Sequence, residues 1–244
     1  MGMVAEYIDP MLRRLFTPLL NRLPSQCLVC QRWPAQPLCG PCLARFGEPR
    51  HRCATCALPA PEGVARCGAC TVQAPALDAC HAAVDYAYPW AAVLARFKFG
   101  QQPGLAVPLA QLLQRLPATA QRLNDATLVL PMPLANERLA ERGFNQSLLL
   151  AQALLRAPRQ RLDAHLLLRP VHRLPQSALT RAERLRNVSG VFAVAPESAH
   201  RLQEARVLLV DDVMTSGASL AAAASVLRQA GAVHVAALVV ARTA

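Results

Sequence analysis

One segment constrains the architecture of this chain more tightly than any other: an apolar run followed at once by two carboxylates and a small-residue loop. The run is Val-Leu-Leu-Val at 207–210, then Asp211 and Asp212, Val213 and Met214, and Thr-Ser-Gly-Ala-Ser at 215–219. Four consecutive β-branched or leucine residues with no polar alternation are the pattern of a strand buried on both faces. Ending at the acid pair, such a strand carries both carboxylates to the carboxyl edge of a sheet, where open α/β folds bind their ligands. Alanine- and leucine-rich sequence then predicts a helix to about Gln229. Hydroxyls and unpaired N–H groups at the start of that helix, at the positive end of its dipole, suit a phosphate. A buried strand, a chance Asp-Asp and a capped helix would explain the same residues one by one, but not their order.

Residues 207–219 resemble the phosphoribosyl pyrophosphate (PRPP) motif of type I phosphoribosyltransferases. The resemblance implies that Asp211 and Asp212 take the ribose 2- and 3-hydroxyls, and that Thr215, Ser216, Gly217, Ala218 and Ser219 wrap the 5-phosphate. Carboxylates beside a phosphate are tolerable because ribose hydroxyls donate to them and Mg²⁺ on the pyrophosphate offsets the remaining charge.

Eight of the nine cysteines form four Cys-x-x-Cys pairs: Cys27/Cys30, Cys39/Cys42, Cys53/Cys56 and Cys67/Cys70. Each pair is a knuckle that aims two thiolates at one metal, and two knuckles complete a tetrahedral site. The segment is studded with proline and glycine and poor in apolar residues, so metal binding would have to supply its folding free energy. Two structural Zn²⁺ sites are expected, with no open position for catalysis. Adjacent pairs sharing a metal, as in a double zinc ribbon, and a cross-brace of first with third are both compatible with the spacing. Disulfides are the alternative chemistry, but no secretory signal is visible and reduced thiols are the cytosolic norm. Cys80, left over, reads as a small buried residue.

Downstream of the cysteines the composition changes to long periodic apolar stretches. Strands are expected over 81–88, 127–130, 191–194, 207–210 and 234–241, and helices over Trp90–Phe99, 105–116 and 137–156, the last interrupted near Gly143. Strands alternating with helices predict a mostly parallel, twisted sheet with helices on both faces, preceded by the small zinc-stabilised module. The expected domains are an amphipathic helix in 1–24, a cysteine module over 25–79 and the α/β domain over 80–244.

Three further segments carry a wider resemblance. They are Leu-Pro-Met-Pro-Leu at 130–134 with Arg138 and Glu-Arg-Gly-Phe-Asn-Gln at 141–146; the arginine-rich stretch with Arg173, Arg181, Arg184 and Arg186; and Phe-Lys-Phe-Gly at 97–100. Together with the cysteines and the acid pair they resemble the ComF family over about residues 25–242. That family combines a zinc-binding N-terminus with a phosphoribosyltransferase domain and is associated with DNA uptake in competence and use of external DNA. Met132 and Ser216 depart conservatively from its usual residues. Arg138 and Arg142 can clamp phosphate oxygens bidentately, and Gly143 would permit close backbone approach. The stretch 169–187 would be a loop closing over PRPP and excluding water. Lys98 is a further candidate for pyrophosphate.

The 244 residues suffice for one α/β domain and a small module. No apolar run approaches the roughly 18 residues that span a bilayer, and a cytoplasmic location is expected. Net charge is +11, which suits anionic partners. Lys98 is the single lysine among 26 basic residues, a position where a compact ammonium is wanted, or a chance survivor of a bias towards arginine. Phosphoribosyl transfer from PRPP·Mg²⁺ to an unidentified acceptor is the expected function, with Asp211, Asp212, Arg138 and Arg142 as its catalytic set. The rival is a protein that senses PRPP or binds single-stranded DNA, or works with DNA-uptake proteins, without turnover. The aromatics do not interleave with the arginines as a single-strand platform would require.

Overall fold

The acid pair belongs to one of the two nine-residue strands of a four-stranded, all-parallel sheet. The computed structural model describes residues 25–155, 161–170 and 191–244. The helix expected in 1–24 and the loop arginines Arg173, Arg181, Arg184 and Arg186 lie outside the described residues. The chain divides into two compact units between Arg45 and Phe46, inside the segment expected to form one 25–79 module. The first unit carries the cysteines from Cys27 to Cys42, and the second carries the remaining cysteines and the sheet.

The second group belongs with the sheet for visible reasons. Cys80 N–H donates to the Ala54 carbonyl at 2.8 Å, and Arg242 Nε donates to the Cys56 carbonyl at 2.9 Å. Arg52 pairs with Asp85 at 2.7 Å.

The sheet contains β1 (Ala79–Asp85), β2 (Leu128–Pro131), β5 (Arg206–Met214) and β6 (His234–Arg242), in the order β1-β6-β5-β2. Between β1 and β2 run α1 (Trp90–Phe99), a 3-10 turn (Pro103–Leu105), α2 (Ala106–Gln114) and α3 (Pro117–Asp125). The expected helix over 105–116 thus stops short, and Pro117 starts a new one at the position where its missing N–H costs nothing. Between β2 and β5 lie α4 (Asn136–Arg142) and α5 (Gln146–Leu154). A pair of two-residue strands, β3 (Leu167–Leu168) and β4 (Ala193–Val194), forms a separate antiparallel ladder. The strand expected over 191–194 is therefore not part of the main sheet. Helix α6 (Ala218–Gln229) joins β5 to β6.

Val207 and Leu209 of β5 share a core with Leu220, Ala223, Ala224 and Leu227 of α6. Their neighbours Leu208 and Val210 must point the other way, because strand side chains alternate. They are equally buried, as are Leu109, Leu112 and Leu113 of α2 and Leu150, Ala151 and Leu154 of α5. Helices α2 and α5 pack together, and α5 packs on β5. The unbroken apolar run is thus explained by helices on both faces.

Leu209 is fully buried and stands in register with Leu130 and Ala237. Leu209→Ala should cost about 2–5 kcal/mol in urea denaturation of the purified protein. Val107→Ala, at a half-exposed helical position, should stay within about 0.5 kcal/mol of wild type. Equal effects would place the core elsewhere.

Candidate functional site

Strand β5 does not end at the acid pair, as its sequence suggests, but continues to Met214, paired with β6 through Val213↔Ala241 and Met214↔Arg242. The edge is formed on the other side. Pro131 of β2 pairs with Val210 and ends its strand there, so Asp211 and Asp212 lie just past the last β2 partner.

The residues that follow β2 supply their surroundings. Helix α4 is closed by Gly143 in the left-handed conformation (φ 76°), whose N–H donates to the Leu139 carbonyl at 2.8 Å. Gly143 is therefore a helix cap, where the sequence suggested close approach to a ligand. Asn145 then caps α5: its side-chain oxygen accepts from the Ser147 and Leu148 N–H groups, and its Nδ2 donates to the Met132 carbonyl at 3.0 Å. That double anchorage brings Ser147 to Asp211, to which its hydroxyl donates at 2.8 Å. The Asp212 N–H also donates to Asp211 Oδ1, at 2.9 Å. On the other carboxylate, Lys98 Nζ of α1 lies 3.1 Å from Asp212 Oδ1. Burial first, and then the Asp212 charge, push the Asp211 carboxyl up to about 7, against the Ser147 bond and the Lys98 charge.

These groups face one cavity of about 160 Å³, which also takes in Arg138, Arg142, Arg169 and Ser219. Arg142 is held from two sides: Nη1 donates to Gln146 Oε1 at 3.1 Å, and its guanidinium lies 4.9 Å from the centre of the Phe99 ring. Arg169 stacks over Phe192 at 5.8 Å. The structure thus brings together Lys98, Arg138, Arg142, Asp211, Asp212 and Ser219, named from sequence. It adds Ser147, which sequence reasoning missed, with Gln146 from the 141–146 segment and Arg169 from the start of the stretch expected to close over PRPP. The Asn-Gln-Ser run opening α5 carried a capping signal that could have pointed to Ser147. Such a cavity suits a ligand with hydroxyl donors for the carboxylates and several anionic oxygens for the guanidinium groups.

The rest of the small-residue loop lies slightly apart. Thr215 is exposed, and Ser216, Gly217 and Ala218 line a neighbouring groove of about 320 Å³ together with Cys56, Cys67 and Arg242. Gly217 is left-handed (φ 82°), and a Cβ there would stand 2.4 Å from the Met214 methyl, so the turn into α6 requires glycine.

The cysteine pairing is resolved by distance. Cys27, Cys30, Cys39 and Cys42 form one cluster and Cys53, Cys56, Cys67 and Cys70 the other, with sulfurs within 4.8 Å of one another in each. Adjacent knuckles therefore combine, and the cross-brace is not adopted. The sulfurs of Cys30 and Cys39 stand 3.7 Å apart, and those of Cys56 and Cys67 3.6 Å. Tetrahedral Zn²⁺ with Zn–S of about 2.3 Å requires about 3.8 Å between ligands, so both clusters could hold zinc. All nine cysteines are free of disulfides. Burial opposes thiolate formation at Cys27 and Cys53, yet backbone N–H groups of Cys39, Cys30 and Val29 at the first, and of Cys67, Cys56 and Thr55 at the second, pull both down to about 6. Burial and its ligand neighbours push Cys42 up to about 12. Four thiols sharing one small volume cannot all ionise without a cation. Cys80 is buried and its thiol points at Met214 Sδ, 3.5 Å away.

A four-stranded parallel sheet, an acid pair at its carboxyl edge and two four-cysteine clusters define a phosphoribosyltransferase-like α/β protein with zinc-ribbon-type modules. The chain is 30% identical over 213 residues to competence protein F of Haemophilus influenzae, covering 84% of this chain and 85% of that protein. It belongs to the competence protein F (ComF) family. It is also 29% identical over 222 residues to the DNA utilization protein YhgH of Escherichia coli K12, covering 87% of this chain and 95% of the relative. It is 36% identical over 104 residues to competence protein ComFC of Bacillus subtilis, covering 43% of this chain and 39% of the relative. No family model matches the chain. Among the described residues no helix is long and apolar enough to cross a membrane.

The raised Asp211 carboxyl has a consequence for stability. Between the unfolded value of about 4 and about 7 the folded state holds a proton that the unfolded chain has released, so this group makes stability fall as pH rises through that window. Asp211→Asn keeps an acceptor for Ser147 and removes the charge. Its melting temperature should exceed that of wild type by more at pH 8 than at pH 5, and a constant difference would refute the burial of this charge. Metal analysis should find two zinc ions per chain, one for each cluster. Cys56→Ser should lower the melting temperature of the sheet unit and Cys30→Ser should not, because only the second cluster belongs to that unit.

Proposed function

We propose that this protein binds PRPP with Mg²⁺ in the cavity over Asp211 and Asp212, and serves in the uptake or use of external DNA. The convergence of the acid pair with three arginines, Lys98 and Ser219 in one cavity is the observation that carries the first half. The names of its relatives support the second.

Asp211 and Asp212 would accept from the ribose 2- and 3-hydroxyls, and Thr215 to Ser219 would wrap the 5-phosphate. Arg138 and Arg142, with Lys98, would hold the pyrophosphate as a leaving group, stabilising the charge it gains as the C1–O bond breaks. Carboxylates are the oxygen donors a hard cation takes, but Lys98 already lies on Asp212. Mg²⁺ would therefore be held chiefly by the ligand's own phosphate oxygens, where it supplies charge neutralisation.

The reaction class this supports is phosphoribosyl transfer to an acceptor. A second reading, PRPP recognition without turnover, is favoured by one observation: among the described residues, no histidine lines the cavity and both carboxylates are already engaged. No free general base is thus at hand.

Calorimetric titration of the full chain with PRPP and Mg²⁺ tests binding. Saturable, Mg²⁺-dependent heat is expected. The double variant Asp211→Asn, Asp212→Asn should weaken PRPP by at least about tenfold, from the loss of two charge-assisted hydrogen bonds, with zinc content unchanged. Unaltered affinity would sink the site assignment. Pyrophosphate release in the presence of candidate acceptors then separates transferase from sensor. DNA binding across a salt series tests the nucleic-acid half.

A further inference from the structure

We propose that Arg242 is a positioning residue for the phosphate loop: a buried cation that bolts the loop to the second cysteine cluster and supplies positive charge beneath the bound phosphate. This rests on the sugar-phosphate reading of the loop.

Arg242 closes β6, a strand otherwise made of His234 and apolar residues, and is 5% exposed. A buried guanidinium normally faces a carboxylate. Among the described residues Arg242 has no such ion pair, and its donors go to carbonyl oxygens and to the Thr243 hydroxyl. Nε donates to Cys56 at 2.9 Å; Nη1 donates to Met214 at 3.3 Å and, at closer range, to Thr215. It also reaches the Thr243 carbonyl.

Met214 ends β5, and Thr215 opens the loop that leads to the left-handed turn at Gly217. One side chain therefore fixes the carbonyls at the root of the loop, while Thr215, Ser216, Ala218 and Ser219 are exposed and the Ser216 hydroxyl accepts from the Ala218 N–H at 3.3 Å. The same side chain anchors on a metal-ligand residue, so a filled second cluster gives the loop a rigid foundation. The fork geometry of arginine is what lets one cation serve several carbonyls at once. Carbonyl dipoles solvate the charge but do not cancel it. An anion on the exposed loop is the complement the arrangement lacks.

One rival role exists. A zinc ion with four thiolates carries net negative charge, and Arg242 could serve only to balance it. The two roles separate by ligand. Ribose-5-phosphate, PRPP·Mg²⁺ and inorganic pyrophosphate would each be titrated into the full chain as wild type, Arg242→Met and Arg242→Lys, with zinc retention measured against a chelator. Arg242→Met should weaken ribose-5-phosphate and PRPP together by about tenfold or more, the scale of one charge-assisted contact. Pyrophosphate, held by Arg138 and Arg142, should stay within about twofold. Arg242→Lys should recover part of the loss, because it keeps the charge and not the fork. If Arg242→Met does not fold, the same selective pattern, smaller in size, is required of Arg242→Lys. Equal weakening of all three ligands, or loss of zinc with unchanged ribose-5-phosphate affinity, overturns the proposal. If wild type binds no ribose-5-phosphate or PRPP, the sugar-phosphate reading falls, and this inference with it.

Discussion

Two carboxylates adjacent in sequence at the edge of a sheet repel each other, and much of the surrounding fold is arranged against that repulsion. Burial adds to the cost of ionising both, and with the Asp212 charge it holds the Asp211 carboxyl up. Lys98 takes Asp212, while Ser147 and the Asp212 N–H take Asp211. Each contact requires an element to be where it is. Helix α1 must deliver Lys98 from its last turn, and α5 must begin where Asn145 can cap it and reach the Met132 carbonyl. Strand β2 must stop at Pro131 to leave the carboxylates unpaired on that side.

The two cysteine clusters solve a different problem from the sheet. The sheet unit has helices on both faces and a continuous buried core. The first unit, among its described residues, buries few large side chains beyond its cysteines and Leu38, so a metal on its four cysteines would be its main source of stability. The second cluster stands between these cases, because Ala57 enters the sheet's core and Arg52 and Arg242 bind it to β1 and β6. Zinc would stabilise its knuckles, and its inner side is packed like a domain.

Local pattern carried the sequence reading where local pattern decides the structure. Trp90–Phe99 is a helix with the expected bounds, α6 ends at Gln229 as expected, and four Cys-x-x-Cys knuckles form two clusters. Tertiary neighbours decided the rest. Val213 and Met214 look like the start of a loop, yet β6 extends far enough to keep them paired. The 25–79 stretch has one composition, but hydrogen bonds from Cys80 and Arg242 draw its second half into the sheet unit. Ser147 is an ordinary helix residue until Asp211, 64 positions away, is placed beside it. Arg242 falls just past the strand expected over 234–241, whereas the structure makes it the last residue of that strand and buries it.

The choice between lysine and arginine follows the number of acceptors each cation meets. Arginine makes up all but one of the 26 basic residues, so the exception calls for a local reason. Lys98 faces one oxygen of a carboxylate that is nearly buried, and a planar fork there would leave donors without acceptors in a confined space. At Arg242 the situation is reversed: several carbonyls converge on one side chain, and an ammonium could not span from Cys56 to Thr215. Arg142 uses a third property, placing its guanidinium over the Phe99 ring while donating to Gln146, two contacts a guanidinium makes at once. A compositional bias towards arginine would replace lysine wherever either cation served. The survival of lysine beside Asp212 thus suits the geometry of the acid pair, a compact point charge on one carboxylate while the other accepts from Ser147 and the Asp212 N–H.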